Sequence, residues 1–303
     1  MDHAAGMPVD ERVLETMKPY FNRNYGNPSS VHSFGNEARN AIGEARGKVA
    51  GLIGAEKEDE VIFTSGGTES NNLAIEGLAY RNKSKGNHII TSSIEHMSVI
   101  NTCKDLSKQG FEVTFLPVDK YGIVDTRALQ REIKEKTILV SMMYANGEIG
   151  TIEPIKEIEE IVHEKGACLH VDAVAAAGQI PINVQEENID LLSLSSNDMY
   201  GPRGVGALYI KAGTRIQPIM HGGGQERGLR SGTENLPGIV GMGEAAEIVK
   251  AEMKTEVQRL TELRDGLIKG ALNSIPESYL NGHPKKGCRT MLMLGSAMLK
   301  ANL

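Results

Sequence analysis

Between residues 10 and 211, short β-branched runs alternate with segments of helical period. That alternation restricts the chain to an α/β fold, a mostly parallel sheet with helices on both faces. The runs are Val61-Ile62-Phe63, His88-Ile89-Ile90, Glu112-Val113-Thr114-Phe115, Thr137-Ile138-Leu139-Val140-Ser141, Leu169-His170-Val171-Asp172 and Gly206-Ala207-Leu208-Tyr209-Ile210. Ile155, Ile158, Ile161 and Val162 recur at helical spacing between Pro154 and Gly166. In such a sheet, ligands gather beyond the carboxyl ends of the strands. Polar residues stand at four such ends: Thr64-Ser65-Gly66-Gly67-Thr68, His96, Asp172, and Ser195 with Asp198. The pattern predicts one crevice where four loops meet.

After Gly238 the pattern changes. Residues 238–273 read as one long charged helix, with Ala245, Ile248, Val249, Met253, Val257, Leu260 and Leu263 as its apolar stripe. It has the form of a connector to a second domain. A chain of 303 residues can bury one large core plus a smaller appended unit. With no tryptophan, aliphatic residues must build that core. The net charge of -6, with no basic stripe, argues against a nucleic-acid partner. No signal peptide and no apolar run of about 18 residues is seen, so a cytoplasmic protein without a membrane segment is expected. Cys103, Cys168 and Cys288 show no close pairing, which argues against a disulfide framework or a zinc site, and no metal is expected.

Taken as residue types, the four loops leave alternatives open. Thr64-Ser65-Gly66-Gly67-Thr68-Glu69 is a strand, a glycine turn and a helix start, which suits either an anion at the helix N-terminus or a plain connection. Asp172 fits a turn cap or a charge partner for a ligand. His96 fits a satisfied strand-end histidine or a proton carrier near neutrality. His221-Gly222-Gly223-Gly224 through Arg230-Ser231-Gly232-Thr233-Glu234-Asn235 is a glycine loop rich enough to be costly as a mere linker.

Read together, these strings resemble the cysteine desulfurases (NifS/IscS-like), pyridoxal 5'-phosphate (PLP) enzymes of the class V aminotransferase group. Thr64 to Asn72 matches their T-S-G-[AG]-T-E-[SA]-N-N, and His170-Val171-Asp172-Ala173 matches H-x-D-A. Gly26 to Gly35 and Glu148 to Ile152 are further family strings. The resemblance implies the large domain of PLP fold type I. It implies Gly67, Thr68, Ser195 and Asn197 at the cofactor phosphate and Asp172 on the pyridine nitrogen, where a carboxylate keeps the ring protonated. It also implies His96 over the ring, Asn146 beside it, and Thr233 reaching the phosphate of the partner subunit in a homodimer. The family reaction takes sulfur from L-cysteine, leaves alanine, and passes a persulfide to iron–sulfur cluster assembly through a scaffold protein.

The chain departs from the family on one side of the cofactor. In Ser195-Ser196-Asn197-Asp198-Met199-Tyr200-Gly201-Pro202, the family has the PLP lysine where Asp198 stands and a histidine where Asn197 stands. The resemblance therefore places Asp198 where no imine can form. Asn146-Gly147-Glu148 and Asp172-Ala173-Val174-Ala175 lose an asparagine and a glutamine that face the ring hydroxyl. Asp2 to Met7 departs from the family D-N-A-A-T-T.

Past Asn281-Gly282-His283-Pro284, family members continue into a small domain with the catalytic cysteine in S-x-[GA]-S-A-C. Here Gly295-Ser296-Ala297-Met298 mimics that string with a thioether. A coding of Lys285 to Leu303 exists in which one inserted A yields K-K-R-L-P-N-N-V-N-V-R-F-S-Y-V-E-G-E-S. Its V-N-V-R-F reads like the opening strand of the small domain. The organisation expected is therefore a PLP-binding large domain over 1–237, a connecting helix and the start of a truncated small domain over 238–286, and a frameshifted, poorly packed tail over 287–303. As written, the chain is expected to be an inactive or impaired desulfurase homologue. The alternatives are a non-catalytic partner that docks a scaffold or ligates a cluster, and a degenerate remnant.

Overall fold

The computed structural model describes residues 6–288 and 292–296. In chain order the elements are α1 (Glu11–Met17), α2 (Pro19–Asn22), α3 (Ser33–Ile53), β1 (Val61–Thr64), α4 (Gly67–Asn82), β2 (His88–Ser92), α5 (Met97–Lys108), β3 (Glu112–Leu116) and α6 (Thr126–Glu132). They continue with β4 (Thr137–Met143), α7 (Ile155–Glu164), β5 (Cys168–Asp172), β6 (Leu191–Ser195), β7 (Gly206–Ile210), α8 (Leu236–Ser274), β8 (Ser278–Asn281) and β9 (Met293–Ser296).

Seven strands form one sheet in the order β1-β7-β6-β5-β4-β2-β3. Strands β2 to β6 run parallel to one another, and β7 lies antiparallel between β1 and β6. The all-apolar runs are explained by cover on both faces, since every residue of β1, β2, β4 and β6 is buried. Successive strand residues point to opposite faces. Phe63, Ile90, Ala207 and Tyr209 pack under α1, α3, α6, α7 and α8, while Ile62, Ile89 and Leu208 pack under α4 and α5. Arg46 of α3 and Glu226 tie this core together, with a 2.7 Å ion pair and a 2.8 Å bond from the Phe63 N–H to Glu226.

Helix α8 begins two residues earlier than its stripe suggests, because Asn235 caps it by accepting from the Gly238 N–H at 3.2 Å. Ala245 is buried, and Ile248, Val249 and Met253 pack against the core. Further on the stripe meets water, with Leu263 and Leu267 each 59% exposed. Of the tail, residues 287–288 and 292–296 are described. Met293–Ser296 pairs antiparallel with Ser278–Asn281, and the Cys288 N–H donates to the Gly150 carbonyl at 2.6 Å. Cys288 is buried, whereas Met293 is 38% exposed and β9 pairs only with β8 among the described residues. Residues 289–291 and 297–303 lie outside the described residues, as do Asp2 to Ala5 of the divergent N-terminal string.

Candidate active site

The carboxyl ends of β1, β2, β4, β5 and β6 open on one cavity of about 780 Å³, within the range of small-ligand sites. Gly67, Thr68, His96, Asn146, Asp172, Ser195, Asn197 and Asp198 all line it. The four loops thus meet as the strand pattern predicts. Thr233 does not line the cavity. It is exposed on the loop before α8, so a single chain does not bring it to the other residues.

The β1–α4 connection shapes one end. Gly66 takes a φ of 150°, which favours glycine, and α4 starts at once with no side chain capping it from Gly66. A Cβ on Gly67 would lie 2.6 Å from Val174 Cγ2, so only glycine leaves this end open. Instead, Glu69 folds back to accept from the Ser65 N–H at 2.8 Å, and Arg230 donates to Glu69 at 2.8 Å. Burial works against the Glu69 charge, but Arg230 and Ser65 hold its carboxyl below the ordinary range. That pair pins the glycine loop of residues 221–235 to the start of α4.

A buried chain of polar groups forms the floor. Asn71 Nδ2 donates to Asp172 Oδ2 at 2.7 Å and to Ser98 Oγ at 2.8 Å. The Val174 N–H donates to Asp172 Oδ1 at 3.0 Å. His96 caps α5 by accepting from the Ser98 N–H at Nδ1, which leaves Nε2 to carry the proton of the neutral ring. Burial pushes the Asp172 carboxyl up, and no lysine or arginine lines the cavity among the described residues. His170, in the same strand, is fully buried between Ser141 Oγ and Ser193 Oγ and is driven down to about 3 by burial. It is a neutral core residue.

The third wall carries Asp198. Ser195 Oγ donates to Asn197 Oδ1 at 2.6 Å, and Asn197 Nδ2 donates to Asp198 Oδ2 at 2.8 Å. Burial, and then the charge of Asp172, push Asp198 up to about 6 against the pull of Ser195, His96 and Asn197. Asn146 lines the cavity, but its amide serves the loop: Oδ1 accepts from the Glu148 and Ile149 N–H groups and Nδ2 donates to the Ile94 carbonyl. Three participants escape the sequence reading. Glu95 is buried and driven up to about 8 by desolvation, Asn71 leaves Oδ1 without a partner, and Ser98 links His96 to the floor. Glu95 is marked only by standing directly before His96, Asn71 only by the N-N ending of the glycine string, and Ser98 by neither.

These residues fit PLP in part. The phosphate is matched by backbone donors at the start of α4 with Thr68 and Ser195. The pyridine nitrogen is matched by a buried carboxylate that lacks a cation. Covalent attachment is not matched, since no lysine lines the cavity among the described residues. Cys103 and Cys168 are pushed up to about 12 and about 11 by burial, which makes them poor nucleophiles, and neither lines the cavity. No described helix is long and apolar enough to cross a membrane.

Comparison with known proteins agrees with this geometry. The aminotransferase class-V family profile matches residues 1–295. Cysteine desulfurase IscS 1 of Archaeoglobus fulgidus is 59% identical over 285 residues, covering 94% of this chain and 74% of that protein. Cysteine desulfurase IscS of Methanosarcina thermophila is 55% identical over 284 residues, covering 94% and 70%. Among solved structures, a NifS-like protein superposes with a TM-score of 0.94 at 40% identity, covering 98% of this chain and 81% of that one. DndA from Streptomyces lividans superposes at 0.87 and 36% identity, covering 97% and 83%. With the strand-end cavity, the seven-stranded sheet and these matches in hand, the chain belongs to the class-V aminotransferase family of PLP-dependent enzymes, as a homologue of the cysteine desulfurases.

Proposed function

We propose that this chain is a cysteine desulfurase homologue that holds PLP without a covalent link and does not turn over L-cysteine. The lining of the cavity carries the reading: Thr68, Asp172 and Ser195 are present, while among the described residues neither a lysine nor a cysteine is. When bound, PLP supplies an electron sink for charge developing at a substrate carbon. The first turn of α4, Thr68 and Ser195 bind the phosphate, and Asp172 keeps a proton on the ring nitrogen. Asn71 orients Asp172, and Ser98 orients His96. Asp198 occupies the attachment position as a carboxylate, and a carboxylate is neither an amine nucleophile nor an amine base.

Purified protein titrated with PLP should show saturable binding without a covalent adduct after borohydride reduction, and no alanine from L-cysteine above background. Gly67→Ala, which crowds the phosphate end, should weaken binding by roughly tenfold or more. Rapid alanine release by the wild-type chain sinks the proposal.

The reading extends to a homodimer that serves iron–sulfur assembly. Thr233 is exposed on a loop held to α4 through Arg230 and Glu69, which suits a residue offered to a second subunit. Light scattering should then give twice the chain mass, and a monomer at micromolar concentration rejects the dimer.

A further inference from the structure

We propose that the cavity selects the amine form of the cofactor, pyridoxamine 5'-phosphate, over the aldehyde and alcohol forms, and that Asp198 reads the ammonium group. The inference rests on the cofactor reading above and adds which form of the cofactor the site prefers.

The cavity has two chemically different sets of groups. One set offers only neutral donors: the N–H groups of the first turn of α4 and the Thr68 hydroxyl. A phosphate suits these, because a helix N-terminus favours an anion. The other set offers acceptors. Asp198 takes a hydrogen bond from the neutral amide of Asn197, and among the described residues no lysine or arginine pairs with it. Asn71 belongs to the cavity lining, and its Oδ1, on a side chain only 1% exposed, is a buried acceptor with no partner. Its own Nδ2 is committed to Asp172 and Ser98, so this oxygen can only accept. Glu148 adds a further carboxylate to the lining, and His96 is the one lining side chain able to carry positive charge.

A ligand that complements both sets is anionic at one end and cationic at the other. Pyridoxamine 5'-phosphate is such a molecule. The aldehyde and alcohol forms share its phosphate and its protonated ring but bring no ammonium group, so they leave the Asp198 charge without a direct partner in a partly desolvated site. The chain Ser195–Asn197–Asp198 holds the carboxylate in one orientation, so little side-chain freedom is lost when an ammonium arrives. A charge-assisted hydrogen bond of this kind corresponds to about a ten- to hundredfold preference.

The test is calorimetric titration of the full chain with pyridoxamine 5'-phosphate, PLP, pyridoxine 5'-phosphate and inorganic phosphate, repeated on Asp198→Asn. The amine is expected to bind about ten- to hundredfold more tightly than pyridoxine 5'-phosphate, and the two should converge to within about twofold in Asp198→Asn. Equal affinity of amine and alcohol for the wild-type chain overturns this inference and leaves the cofactor reading standing. A full preference retained in Asp198→Asn removes Asp198 as the reader. Absence of binding by all three phosphorylated pyridines overturns the cofactor reading itself. The wild-type ligand series decides the matter even if the variant does not fold.

Discussion

Asp198→Lys is expected to purify with a visible absorbance band from covalently held PLP, whereas the wild-type chain loses its chromophore on gel filtration. The anchoring groups already line the cavity, so the substitution supplies the missing amine without rebuilding the site. The backbone around residue 198 is held independently of its side chain. Met199 and Gly201 both donate their N–H groups to the Ser196 carbonyl, and Tyr200 adopts a left-handed φ of 59°. The exchange also removes a carboxylate that shares the site with Asp172. A lysine in a desolvated site has its amine pKa pushed down, which favours the neutral nucleophile. Retention should tighten by at least about a hundredfold, equivalent to roughly 2.7 kcal/mol. Borohydride reduction followed by peptide mass mapping should place the adduct on residue 198. A folded Asp198→Lys that stays colourless at saturating PLP contradicts the pocket assignment. The variant should regain attachment without desulfurase turnover, because the described cavity lining still lacks a thiol.

Above about pH 6.5, stability of the cofactor-free protein should fall as pH rises toward about 9, and Glu95→Gln should remove much of that fall. Burial pushes Glu95 up to about 8, Glu153 up to about 7 and Asp198 up to about 6. Their unfolded values lie near 4, so across this window the folded state holds protons that the unfolded chain has released. The unfolded state binds fewer protons, and by linkage folding weakens as pH climbs. A tenfold difference in acidity between the folded and unfolded states is worth about 1.4 kcal/mol, and water penetration lowers the realised sum. For Glu95 alone we expect roughly 2–4 kcal/mol by pH 9. Glutamine keeps the acceptor that Ser92 Oγ reaches at 2.6 Å and cannot ionise. His163, raised by Asp190 and Glu159, loses its contribution in the same direction as pH rises, while His170 and His88, pushed down by burial, act in the opposite sense below about pH 6.5, so the wild-type and Glu95→Gln difference isolates Glu95. Thermal melts at several pH values should show the variant gaining about 4–8 °C at pH 9 and little at pH 5. Parallel melting curves for the two proteins across that range reject the argument.

Much of the architecture is legible because burial on both faces forces β4 and its neighbours into largely apolar runs, and because β1 to β4 are each followed by a helix. Strand β6 is harder to see. Leu191-Leu192-Ser193-Leu194-Ser195 carries two serines, and one of them, Ser193, is spent on the buried His170. The antiparallel course of β7 leaves no mark in residue pattern, since both orientations give a buried strand. At the site, Gly67, Thr68, His96, Asp172 and Ser195 are readable because short motifs at strand ends carry them. Glu95 and Asn71 are not, because what distinguishes them is desolvation and an unmet acceptor, which arise only when the sheet closes. Asn146 lines the cavity while its amide bonds backbone groups of its own loop and of Ile94 in the β2–α5 connection, a commitment that residue type does not reveal.

The placement of β7 also bears on the order in which the molecule forms. Strand β1 meets the sheet only through β7, whose pairing residues emerge about 140 positions later. Until that late segment arrives, the loop that carries Gly66 and Gly67 hangs from an unzipped edge, although the parallel strands β2 to β5 can already assemble. The anion cradle is therefore among the last parts to mature during synthesis, and a nascent chain released before β7 has no phosphate grip for the cofactor to stabilise.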